Sequence, residues 1–152
     1  MAVSAVEVGM PSPSPKHPIV AEIMVVDDDA DVREAVGEFL SQAGYETTSA
    51  RDGAEALGQL LLGKCNPALI ILDLDMPIMD GREFLCRIAR EESLKRLPVI
   101  VLSAAAPCEG LHEEISVVSK PITGDRLLAE IRASLAPPGA RQSSAKGTVL
   151  SR

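Results

Sequence analysis

IILDLDMPIMDG, residues 70–81, opens with three aliphatic residues suited to a buried strand and then places Asp73, Asp75 and Asp80 within eight positions. Charge at the end of a buried element costs free energy unless it is paired, solvated or bound to a metal. The stretch therefore needs partners from elsewhere in the chain. Where they come from decides the fold.

Around this stretch the period of the apolar residues switches repeatedly. Ala68 to Leu72 reads as a buried strand, and Phe84, Leu85 and Ile88 mark the helix that follows. Upstream, Ile23 to Val26 is a continuous apolar run, followed by Val32, Val36, Phe39 and Leu40 on one helical face. Asp29 is placed to cap that helix and Gly44 to end it. Tyr45 to Ser49 suggests a short edge strand, and Ala54, Leu57 and Leu61 a second helix that stops near Gly63 and Pro67. Downstream lie a fourth strand over Val99 to Leu102, a short fifth over Ile115 to Val118, and a last helix carried by Leu127, Leu128, Ile131 and Leu135. Strand and helix alternate throughout, which predicts an α/β fold, a doubly wound parallel sheet with helices on both faces.

In such sheets ligands bind at the carboxyl ends of the strands, beside the point where strand order reverses. The polar residues that interrupt the apolar runs then fall together: Asp27 and Asp28 end the first strand, Asp73 the third, Ser103 the fourth and Lys120 the fifth. Three carboxylates at one rim repel each other, and a cation is the usual remedy. Oxygen ligands without His or Cys favour a hard ion, Mg2+ before Ca2+, held by two carboxylates and one main-chain carbonyl. A lysine and a hydroxyl beside such a site suit an incoming phosphoryl group, one balancing charge and the other donating a hydrogen bond.

The whole chain sets wider bounds. Its 152 residues fit one domain with tails, residues 1–18 as a Pro/Ser-rich flexible leader, 19–136 as the domain and 137–152 as a flexible tail. Nothing foldable is expected after Leu135, so the domain reads as one without an attached effector. The formal charge of −7 argues against direct nucleic-acid binding through an overall positive field. Cys65, Cys86 and Cys108 form no CxxC pair, so neither a disulfide framework nor a zinc site is indicated. The N-terminus has no signal-peptide pattern and no run approaches the roughly 20 apolar residues of a membrane span. A cytoplasmic location without membrane association is expected.

VVDDDADVRE, IILDLDMPIMDG, VIVLSA and SKPIT together resemble the four signature segments of the response-regulator receiver domain of two-component signalling, over about residues 20–136. The resemblance implies a flavodoxin-like sheet of order 2-1-3-4-5 and a module that accepts phosphate on an aspartate from a histidine kinase or histidine phosphotransfer protein. It implies that Asp73 is the acceptor, that Asp27 and Asp28 with Asp73 hold Mg2+, and that Asp75 supplies a main-chain carbonyl to the metal. Ser103 corresponds to the hydroxyl that contacts the phosphoryl group, and Lys120 to the conserved-type lysine, followed by a peptide bond that is commonly cis. A receiver of this kind is not an enzyme acting on a separate substrate; it catalyses its own phosphotransfer and dephosphorylation, and signals through a downstream protein.

Plainer and rival readings stand beside this one. Asp29, Asp31, Asp52 and Asp80 read as turn formers or helix caps, and neither His17 nor His112 is assigned a role. ILDLDMP also resembles the opening motif of haloacid-dehalogenase phosphohydrolases, although those carry their further acidic pair downstream. Two departures from the receiver pattern raise a third possibility, a docking module that no longer switches. Val117 stands where the family usually has Tyr or Phe, and the short interval from Ser103 to Lys120 leaves room only for an abbreviated fourth helix within PCEGLHEEI.

Overall fold

The computed structural model describes residues 20–104 and 115–137. Five parallel strands form one sheet in the order β2-β1-β3-β4-β5. Along the chain they run β1 (Glu22–Val26), α1 (Ala30–Gln42), β2 (Glu46–Ala50), α2 (Gly53–Leu61), β3 (Leu69–Asp73), α3 (Gly81–Arg90), β4 (Val99–Ser103), β5 (Ile115–Ser119) and α4 (Gly124–Leu135). The expected order and alternation are those observed. Strand bounds differ by a residue, with β2 starting at Glu46 and β3 extending through Asp73. The abbreviated helix expected between β4 and β5, the leader, and all of the tail beyond Pro137 lie outside the described residues.

The aliphatic runs are continuous because both faces of the sheet are covered. Side chains alternate along each strand, sending Met24, Val26, Ile70, Leu72, Val99 and Val101 to the face packed by α2 and α3. Ile23, Val25, Leu69, Ile71, Ile100 and Leu102 go to the opposite face, under α1 and α4. Each fully buried aliphatic side chain contributes roughly 1.5–3 kcal/mol, and the neighbouring strands β3 and β4, each buried at all five positions, carry four such side chains apiece. With few aromatics available, Phe84 from α3 is the largest fully buried side chain. At Gly124 an added Cβ would stand 2.7 Å from the Phe39 ring, so the glycine is what lets α4 close on α1.

Caps set where the helices begin, and hence where the rim loops end. Asp29 accepts from the Asp31 and Val32 amides, Asp52 from Glu55, Asp80 from Glu83, and Thr123 from Arg126. The plain reading of Asp29, Asp52 and Asp80 as caps therefore holds. Asp31 lies in the first turn of α1. Gly44, at φ +93°, takes the left-handed conformation that ends α1. Three residues expected to mark the packed helical faces are exposed, Val32 in α1 and Ala54 and Leu61 in α2; α2 turns Ala56, Leu57 and Leu60 to the core instead.

Candidate functional site

Strand register assembles the rim. Val26 pairs with Leu72, so the next residues, Asp27 and Asp73, stand side by side. Asp73 pairs with Leu102 and Ser103 with Ser119, which carries the line on to Ser103 and then Lys120. Carboxylate oxygens of Asp27, Asp28 and Asp73 lie within 4.8 Å of one another. The Lys120 ammonium stands 3.4 Å from Asp73 Oδ1, and its amide donates to the Ser103 carbonyl at 2.9 Å. The Lys120–Pro121 peptide is cis. Asp27, Asp28, Asp73, Ser103 and Lys120 thus share one end of the sheet.

Their environments differ. Asp27 is 6% exposed and Asp73 9%, whereas Asp28 is open to solvent. Burial pushes the Asp27 carboxyl above its ordinary value; the Asp29 amide, donating at 2.9 Å, opposes this, the negative charges of Asp73 and Asp28 add to it, and Lys120 partly offsets them. Ser103 is buried at the end of β4. Asp75 stands outside the carboxylate trio with an exposed side chain, while its amide approaches Asp73 Oδ1 at 3.4 Å.

The loop after Asp73 is shaped by contacts that the residue pattern suggested only as a turn. Gly81 donates to the Leu74 carbonyl, and a Cβ there would lie 2.7 Å from the Asp73 carbonyl oxygen. Only glycine permits α3 to start so close to the end of β3. Across the rim, the Gly53 amide donates to the Met79 carbonyl at 3.2 Å and ties the loop to α2. Between these anchors Ile78 is held at φ 69°, costly for a β-branched residue, and is 83% exposed. Sequence reasoning missed Arg33, whose guanidinium donates to the Asp27 carbonyl at 2.7 Å. Its signal was a cation in the first turn of a helix, where the dipole disfavours positive charge.

The donor set suits a hard divalent cation: three clustered carboxylates, two of them largely buried, with the Lys120 ammonium beside Asp73. A buried carboxylate, a neighbouring lysine and a hydroxyl form an arrangement that can receive an electrophilic phosphorus and balance its charge.

The family model described as the response regulator receiver domain matches residues 23–132. Among curated relatives, the response regulator MprA of Mycobacterium sp. strain KMS is 37% identical over 121 residues, 74% of this chain and 50% of the relative. The DNA-binding dual master transcriptional regulator RpaA of a Synechocystis strain is 32% identical over 118 residues, 74% of this chain and 48% of the relative. The chain spans about half the length of the curated relatives it matches. Among solved structures, chemotaxis protein CheY4 of Vibrio cholerae aligns with a TM-score of 0.67 at 30% identity, over 76% of this chain and 99% of that one. Response regulator TrrA of Thermotoga maritima, solved in complex with Mg2+-BeF, aligns with a TM-score of 0.68 at 30% identity, over 76% and 100% respectively. Among the described residues no helix is long and apolar enough to cross a membrane.

Proposed function

The chain belongs to the response-regulator receiver family, and on that premise we propose that it accepts a phosphoryl group on Asp73 from a phosphohistidine of a histidine kinase or histidine phosphotransfer protein. The observation that carries this reading is the Asp73 carboxylate at the floor of the acidic rim, 3.4 Å from the Lys120 ammonium. An Asp73 oxygen bonds the phosphorus as the donor's P–N bond breaks, and the electron pair returns to the imidazole nitrogen. Lys120 stays beside the carboxylate and balances the charge that arrives. The buried Ser103 hydroxyl donates to a phosphoryl oxygen, and the Asp75 amide, already near Asp73 Oδ1, keeps the carboxylate turned toward the opening.

Asp27, Asp28 and Asp73, with the Asp75 carbonyl, are the residues that would hold Mg2+. When bound, the ion neutralises the clustered carboxylates and the phosphoryl oxygens. Hydrolysis of the aspartyl phosphate would return the module to its starting state, so the chain acts as a self-catalysing acceptor in the cytoplasm and passes its state to another protein. Val117 favours a second reading, a receiver that is phosphorylated but transmits weakly, because valine cannot supply the bulk of an aromatic ring at that position.

The test is direct. Incubated with acetyl phosphate and Mg2+, the chain should gain one base-labile phosphoryl group, and Asp73→Asn should abolish it. Undiminished labelling of that variant, or labelling on a histidine, would overturn the assignment.

A further inference from the structure

Arg33 is the one cation that touches the backbone of the acidic rim from α1. Long side chains on a helix lean toward its N-terminus, and from the first turn of α1 this one reaches back to the β1–α1 turn. There its Nη1 donates to the Asp27 carbonyl at 2.7 Å, a short, charge-assisted bond. Among the described residues it makes no ion pair within 4.0 Å. Its contact is with the peptide that joins Asp27 to Asp28, not with either carboxylate.

That peptide decides where both carboxylates point. Asp27 is already tied by its amide to the Ala50 carbonyl at 3.2 Å and by its Oδ1 to the Asp29 amide at 2.9 Å. Asp28 is exposed and has no such tie of its own among the described side-chain bonds. Rotation of the Asp27–Asp28 peptide would leave Asp27 buried and swing Asp28 away from Asp73, dispersing a cluster whose mutual repulsion favours dispersal. A guanidinium on the carbonyl of that peptide resists the rotation. A cation otherwise misplaced against the helix dipole thus acquires a reason to be there.

We propose that Arg33 is a positioning residue, which holds the Asp27–Asp28 peptide so that the two carboxylates converge with Asp73 into one cation site. This rests on the reading of the rim as a Mg2+-assisted phosphoacceptor. The role belongs to the outer shell, where losing a partner typically weakens metal affinity 10–100-fold.

The experiment measures the apparent Mg2+ dissociation constant of the full chain from the dependence of its thermal midpoint on Mg2+, with amide chemical shifts of Asp28 as an independent reading. Arg33→Ala should raise that constant about tenfold, with a small change in the metal-free midpoint. Arg33→Lys, which can still place one charged donor on the carbonyl, should recover part of the affinity, and Arg33→Met, which keeps the apolar stem, should not. A Mg2+ constant unchanged in Arg33→Ala and Arg33→Met, while the parent binds normally, overturns the positioning role alone. A parent whose midpoint and shifts ignore Mg2+ overturns the reading of the rim and the role of Arg33 with it. Equal weakening in the lysine and methionine variants would also overturn the proposal, since it would trace the effect to guanidinium packing and not to the donated bond.

Discussion

On the β1/β3 side of the rim, Asp27 is 6% exposed and takes part in three hydrogen bonds, to Ala50, Asp29 and Arg33, while Gly81 brings α3 against the Asp73 carbonyl. On the β4/β5 side, Ser103 and Lys120 are joined by a main-chain bond, and β5 is half-buried over Ile115 to Val117, where the receiver pattern leads one to expect an aromatic ring at 117. The first side holds charge in place. The second is where a receiver converts phosphorylation into a displaced surface, and that requires two arrangements of comparable energy. On the proposed function, acceptance of phosphate and its transmission would rest on different parts of one rim, and damage to one need not reach the other.

The largest effect separating the two sides is the total loss of labelling in Asp73→Asn described above, against retained labelling in any β5 variant. Next is Gly81→Ala, whose new Cβ would meet Asp73 and Leu74 backbone atoms at 2.7 and 2.8 Å. Overpacking of this kind costs about 1–3 kcal/mol. Urea denaturation should show that loss, whereas Gly58→Ala, with nothing within 4 Å of its Cβ, should hold or gain stability. A neutral Gly81→Ala would show that the end of β3 is not held as tightly as the geometry states.

Smaller and more specific is the pH dependence set by Asp27. Asp27 is raised above the ordinary aspartate value of 3.8, so the native state binds this proton more tightly than the unfolded chain does. Its contribution is fully present below that ordinary value and is lost as pH rises through the raised one. Without metal, Asp27→Asn should be the more stable protein at neutral pH, and the difference should close as pH falls toward the ordinary value. Mg2+ should reverse the ranking by stabilising the parent, by about 1.4 kcal/mol at ten times its Kd. Parallel pH curves for the two proteins would remove the basis for treating Asp27 as a strained carboxylate.

The smallest effect is spectral. Beryllofluoride, which mimics the acyl phosphate, should shift the amides of Asp73, Ser103 and Lys120, and the shifts should fade across Ile115 to Val118. Val117 is stiff at χ1 and offers little volume change. Large, contiguous shifts along β5 would mean that a switch operates without the aromatic ring, and the contrast between the two sides would be lost.

Much of the site was legible because its chemistry sits at strand ends. A break in an apolar run marks where a parallel strand surfaces, and parallel strands surface at one end. Asp27, Asp28, Asp73, Ser103 and Lys120 could therefore be grouped from chain position, and Asp29, Asp52 and Asp80 set apart as caps from their place before helical runs. Arg33 was not legible. Its contact is with a carbonyl six residues away, and no periodicity reports where a carbonyl points.

By itself the sequence determined the alternation of strands and helices and the end of the sheet that carries charge, because these follow from local period and local charge. Tertiary structure alone decided how close those groups come. That Asp27 is buried and its carboxyl pushed up, that Gly81 is required by the Asp73 carbonyl, and that the Asp27–Asp28 peptide is held from α1 all depend on distances between segments brought together by strand register. Register is set by the packing of both faces of the sheet at once, which no single segment encodes.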